Sequence, residues 1–179
     1  MADLSEKRLS SEPAFSGKLV KVYLEMWEQA GGQQVTREII RHPGAVAMIP
    51  LLPNGDVMLV EQFRAAAGRV MLEIPAGTLE PGEDPRAAAV RELQEEIGYK
   101  PGKLEKLGGE YAAPGYTSEY IHLFVATELE ESRLQQDDDE QIDVMTLPLS
   151  EALRRIEQGE IEDSKTIIAL LWIARRLGR

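Results

Sequence analysis

Three glutamates, Glu92, Glu95 and Glu96, fall in the run Arg91-Glu92-Leu93-Gln94-Glu95-Glu96-Ile97-Gly98. On a helix, spacing of i, i+3 and i+4 brings their carboxylates to one face. Alone, that grouping is unfavourable. Like charges so placed cost roughly 0.2–0.5 kcal/mol per pair, and acids near a helix C-terminus oppose its dipole by up to about 1 kcal/mol. A cation among them would reverse the balance, and three hard oxygen donors without His or Cys suit Mg²⁺ or Mn²⁺ better than zinc. The helix by itself reads equally well as a solvated acidic face. Its surroundings favour chemistry: Gly77 precedes it, Glu83 follows Gly77 by six residues, and Arg91 follows Glu83 by eight.

Elements that could hold such a site are readable along the chain. Asp84 can cap a helix from about Pro85 to Ile97, with Pro85 at its first position and Gly98 ending it. Val90, Leu93 and Ile97 form a flank of that helix suited to packing on a sheet. Upstream, residues 1–16 read as a loose polar arm. Leu19–Trp27 and Val35–Ile40 read as a hairpin about Gly31-Gly32, and Asn54-Gly55 between apolar runs marks a second. Val70–Pro75 leads into Ala76-Gly77. Strands are expected near Lys103–Gly108, Ile121–Ala126 and Ile142–Leu147. Two closing helices are expected to be capped by Ser150 and Ser164. The pattern is that of an α/β sandwich with a mixed sheet, preceded by a small antiparallel β appendage, and divides into 1–42 and 43–179.

Composition bounds the function. The 179 residues are 43% hydrophobic and 28% charged, enough for a core, and the formal charge of -11 argues against a nucleic acid or an anionic membrane as partner. Cysteine is absent and the two histidines, His42 and His122, stand 80 positions apart, which supplies neither a thiolate nucleophile nor a histidine metal site. Both histidines read as structural. The longest apolar run, Ile167–Ala174, has eight residues, against roughly 20 for a membrane span. The opening MADLSEKRLS lacks the apolar stretch of a signal peptide, so a soluble cytoplasmic protein is expected.

Gly77 through Tyr99 resembles the Nudix box, G-x5-E-x7-R-E-U-x-E-E-x-G-U with U apolar. It matches at Gly77, Glu83, Arg91, Glu92, Glu95, Glu96 and Gly98, with Leu93 at the first U and Tyr99 a departure at the last. The resemblance implies a Nudix α/β/α fold and a divalent-cation-dependent hydrolase of a nucleoside diphosphate linked to another moiety. Pro114 lies 15 residues after Tyr99 in Ala113-Pro114-Gly115-Tyr116-Thr117-Ser118-Glu119. That segment, with Glu61–Arg64, Leu72–Gly77 and Arg41–Val46, looks like the ADP-ribose pyrophosphatase subfamily. By that likeness Glu92, Glu95, Glu96 and the Ala76 carbonyl are metal ligands, and Gly77, Glu83, Arg91 and Gly98 are structural. The acids Glu92 and Glu96 also count as catalytic, and the general base falls at Glu140, with Asp138 and Asp139 as alternatives. A homodimer through the N-terminal hairpin is also implied, each site drawing residues from both subunits.

The expected reaction is Mg²⁺-dependent hydrolysis of ADP-ribose to AMP and ribose 5-phosphate. This would let an acidic protein bind an anion through metal collected by its own acids. Arg64 and Arg37 can offer bidentate guanidinium forks to phosphate. Glu38, Glu73, Gly115, Ser118 and Glu119 complete the candidate substrate contacts. Tyr23 and Trp27 suit strand packing better than adenine stacking. GDP-mannose or another nucleoside diphosphate sugar is the alternative substrate. A non-catalytic Nudix-fold nucleotide sensor is less consistent with a full set of box acids.

Overall fold

The computed structural model describes residues 3–135 and 141–178. Two compact units form, Met1–Gly44 with Tyr111–Tyr120, and Ala45–Glu110 with Ile121–Arg179.

In the first unit, β1 (Glu6–Ser16), β2 (Lys21–Gln29) and β3 (Gln34–Arg41) make an antiparallel sheet in that order. The β2–β3 hairpin turns at Gly32, whose φ of 82° suits glycine. Residues 6–16 are therefore a strand rather than the loose arm expected from their polarity. As an edge strand, β1 tolerates Pro13 beside a register irregularity and keeps its polar residues solvated. Cross-strand pairing sorts the sheet into two faces. One carries the alternating Val22, Leu24 and Met26 with Phe15 and Ile40 opposite Val22; the other carries Tyr23, Glu25 and Trp27. Glu25 is fully buried. Its carboxylate accepts from Arg8 Nη1 (3.2 Å), Ser11 Oγ (3.0 Å), Trp27 Nε1 (3.1 Å) and Arg41 Nη2. Burial pushes the Glu25 carboxyl up, but bonds from Arg41 and Ser11 with the charges of Arg41 and Arg8 hold it below its ordinary 4.5. The segment Tyr111–Tyr120 joins β3 through Ile40 N to Tyr116 O (2.7 Å) and Ser118 N to Ile40 O (3.0 Å).

The second unit is built about β4 (Ala45–Pro50), buried along its whole length. It pairs with β7 (Ala76–Thr78) antiparallel and with β9 (Tyr120–Glu131) parallel, and β8 (Tyr99–Tyr111) completes the sheet. A second sheet has the order β10 (Ile142–Pro148), β5 (Asp56–Arg64), β6 (Arg69–Glu73). The pleat divides β4 between two cores. Ala45, Ala47 and Ile49 meet Leu149 and Ala152 of α2 (Leu149–Glu157) and Leu170 and Ile173 of α3 (Ser164–Arg176). Val46 and Met48 meet Ala88 and Ala89 of α1 (Pro85–Glu92) with Leu93 and Ile97. Each fully buried Leu or Ile is worth about 1.5–3 kcal/mol, which is why the uninterrupted apolar strand sits between helices. The result is the expected α/β/α sandwich.

The closing helices start differently from expectation. Asp163, not Ser164, caps α3 by accepting from Thr166 N (3.0 Å), since an ionised oxygen is the stronger acceptor. No side chain caps α2. It begins directly after Pro148 (φ -56°) at the buried Leu149, so the strand-to-helix turn is set by proline and packing rather than by Ser150. Among the described residues no helix is long and apolar enough to cross a membrane.

Candidate active site

The carboxylate-bearing segment is anchored at both ends. Asp84 accepts from Arg86 N (3.0 Å) and Ala87 N (3.1 Å), and Pro85 opens α1. From Leu93 to Ile97 the helix widens into a π-helical turn and stops at Gly98, with φ 79°. The spacing alone predicts one regular helix to Ile97. The wider turn shifts Glu95 and Glu96 around the axis relative to Glu92, and π-turns of this kind recur at functional sites. Carbonyls of this turn and of its cap accept from outside the helix: Leu134 N donates to Gln94 O (3.1 Å) and Ser132 N to Gly98 O (2.8 Å).

Of the three glutamates, Glu92 and Glu96 are buried and Glu95 is half-buried. Arg91 lies among them. Its Nη1 donates to Glu92 Oε1 (2.7 Å) and Glu95 Oε2 (2.8 Å), while Nε and Nη2 grip Glu83 in a two-pronged bond at 3.1 Å each. Glu83 raises the Arg91 guanidinium above its ordinary value, helped by Glu92 and Glu95, and Arg91 in turn holds the Glu83 carboxyl low. Glu96 Oε2 accepts from Ala76 N (3.0 Å), tying the helix to β7. Gly77 adjoins that bond. A Cβ on Gly77 would stand 1.9 Å from the Glu92 carboxyl carbon, so any side chain there would displace that carboxylate.

Among the described residues no three His, Asp or Glu side chains already form a metal-binding group. Glu92 and Glu95 are closed onto Arg91, and Glu96 onto β7. The donor set nonetheless suits a hard divalent cation: all the donors are oxygens, two of the three carboxylates are buried, and Gly77 leaves room for one of them.

The remaining candidates divide between the two units. In the second, Arg64 does not stand alone: Nε and Nη2 clamp the two oxygens of buried Glu73 at 2.7 Å each. Burial pushes the Glu73 carboxyl up, but the bond from Arg64 and the charge of Lys165 outweigh it and hold the group below 4.5. In the first, Arg37 pairs with Glu6 (2.9 Å) and Glu38 is exposed. Ser118 Oγ accepts from His42 N (3.0 Å), and Glu119 lies 3.9 Å from His42 Nδ1. That nitrogen accepts from Gly44 N (3.1 Å), so His42, Ser118 and Glu119 latch a loop and form no proton relay. A Cβ on Gly115 would meet nothing within 4 Å. Trp27 is committed to Glu25. Asp138, Asp139 and Glu140 lie outside the described residues.

Sequence reasoning missed that Arg64 and Lys165 are the partners of Glu73, and missed Asp163 beside Lys165 and Thr166 next to it. The available signal was a pair of charges opening an otherwise apolar helix.

A mixed-sheet α/β/α sandwich, with a glycine-relieved glutamate helix clasped by one arginine, defines the class of protein. The NUDIX domain model matches residues 41–170. The ADP-ribose pyrophosphatase of Bacillus subtilis is 42% identical, across 97% of this chain and 95% of that protein. The methanol dehydrogenase activator of Bacillus methanolicus is 44% identical, across 94% and 92%. A crystal structure of an ADP compounds hydrolase superposes with a TM-score of 0.87 at 23% identity, covering 99% of this chain and 97% of that one, which speaks to the fold. The chain belongs to the NUDIX domain family.

Proposed function

We propose that this protein is a Nudix pyrophosphohydrolase that cleaves ADP-ribose to AMP and ribose 5-phosphate. The observation that carries the reading is the packing of the Glu92 carboxylate into the space left by Gly77, beside Glu96 bonded to Ala76. Glu92, Glu95, Glu96 and the Ala76 carbonyl would hold Mg²⁺ or Mn²⁺. Such an ion would neutralise charge on the diphosphate and acidify a bound water. Arg91 and Glu83 keep the helix and its acids in register, and Arg64, fixed by Glu73, presents a cation toward phosphate. Glu140, or failing it Asp139 or Asp138, would take the proton from the attacking water. Arg37, Glu38, Gly115, Ser118 and Glu119 are the further substrate contacts in this reading.

Residues 1–42 would pair two chains and residues 43–179 would carry catalysis. Support for a homodimer comes from the first sheet, where Phe15, Leu24 and Met26 share one face and are each 40% exposed or more. Exposed apolar groups on one face are what an association surface requires.

A substrate panel with and without Mg²⁺ tests the function, reading phosphate release after phosphatase coupling. ADP-ribose should be turned over fastest, and only with the divalent ion. GDP-mannose turned over as fast would move the chain to the alternative substrate. Glu96→Gln should remain folded by circular dichroism and lose most turnover; an active Glu96→Gln enzyme would remove the metal argument.

A further inference from the structure

The start of α3 holds charges that the proposed reaction leaves unused. Lys165 is 8% exposed, on a helix whose next eight residues run Thr166-Ile167-Ile168-Ala169-Leu170-Leu171-Trp172-Ile173. A buried ammonium is costly unless it is paired, and where packing alone matters an apolar residue serves as well or better. Lys165 Nζ bonds Glu73 Oε2 and lies 3.0 Å from Asp163 Oδ2. Glu73 Oε2 also receives Arg64 Nη2 (2.7 Å). The lysine therefore fixes the carboxylate against which the Arg64 fork is aligned. Thr166, wholly buried, makes a parallel connection. Its Oγ1 donates to Asp163 Oδ2 and accepts from Ile74 N (2.9 Å). Ile74 is two residues before Ala76, whose N donates to Glu96 (3.0 Å), and between them Pro75 O accepts from Met48 N (2.9 Å).

We infer that Lys165 and Thr166 are positioning residues for the hydrolytic site, Lys165 holding Arg64 through Glu73 and Thr166 holding the Ala76-Gly77 strand through Ile74. This rests on the hydrolase reading above. The two arms have different kinetic signatures. An arginine that grips the substrate phosphate acts on binding, so loosening it raises KM. A displaced Ala76 shifts the carboxylates of the reacting centre, so it lowers kcat.

The test compares Lys165→Met, Lys165→Arg, Thr166→Val and Thr166→Ser, with Lys165→Gln in reserve should Lys165→Met not fold. Folded fraction is measured by circular dichroism. Two readouts follow: KM and kcat for ADP-ribose with Mg²⁺, and the dissociation constant of ADP-ribose in EDTA by calorimetry. Losing one charge-assisted contact predicts about a tenfold rise in KM and in the metal-free dissociation constant for Lys165→Met, largely restored in Lys165→Arg. Thr166→Val should lower kcat about tenfold with little change in KM, and Thr166→Ser should recover it. If the variants lose kcat only in proportion to their folded fraction, with KM and binding unmoved, the inference is wrong. A wild-type protein that hydrolyses neither ADP-ribose nor GDP-mannose would instead overturn the functional reading.

Discussion

Gly77 and Glu92 share a space that one additional carbon would fill. The obstructing atoms are the end of a side chain, so Gly77→Ala can be accommodated by moving the Glu92 carboxylate aside. The fold should survive, while a carboxylate displaced by an ångström can cost about a hundredfold in rate. We expect Gly77→Ala to melt within a few degrees of wild type and to lose turnover on that scale. Equal losses of stability and activity would contradict this account. These residues were legible in the sequence because their chemistry is local: Gly77, Glu83, Arg91 and the glutamates interact within one loop and one helix. Arg64 shows the limit. Its fork for an anion was readable, but its engagement with Glu73 depends on β5 pairing with β6, and Lys165 is brought to Glu73 from 92 positions away.

At the scale of elements, caps and buried pairs make separable predictions. Asp84 bonds only backbone groups at the start of α1. Asp84→Ala should therefore cost about 1 kcal/mol and about 2–4 °C in Tm, with activity per folded molecule unchanged in a coupled assay. Glu73 ties β6 to β5 and α3 and has a pH signature. Its folded carboxyl sits below the ordinary 4.5, so its stabilisation is fully present above about pH 4.5 and is lost as pH falls through the lower folded value. Denaturant titrations between about pH 3 and 6 should show this fall, and Glu73→Gln should flatten it. At neutral pH the same substitution leaves buried Lys165 with Asp163 as its remaining carboxylate and should cost about 3–5 kcal/mol, toward the lower end because Asp163 stays in reach and Arg64 can reach water. The π-helical turn and β1 were not legible. The first arises where outside chain bonds the last carbonyls of a helix, and the second is a polar strand whose pairing residues are supplied by β2.

For the whole molecule, the formal charge of -11 opposes association, and any pairing of two chains must overcome it with apolar contact. Long-range repulsion of this kind is screened within about 10 Å at 0.1 M salt. The proposed dimer should therefore tighten as salt is raised, as followed by sedimentation or light scattering. Leu24→Lys with Met26→Lys should reduce the particle to one chain while leaving the Glu25 face of the sheet intact. A double variant that kept the wild-type mass would move the association surface elsewhere. The sandwich was readable in outline from apolar runs punctuated by turns, but the Asn54-Gly55 turn does not close the expected hairpin: its flanking strands β4 and β5 lie in different sheets and meet at the single bridge Leu51–Val57.

Glu25 has a further consequence for how the first sheet assembles. Its four donors come from β1, from β2 itself and from the end of β3, all on one side of the pleat. Sliding β1 by a single position along β2 would turn Arg8 and Ser11 to the opposite side, leaving the carboxylate without two of its donors. Misaligned pairings thus carry an electrostatic penalty that the apolar residues alone would not impose, and one ionised side chain serves as a lock on strand alignment.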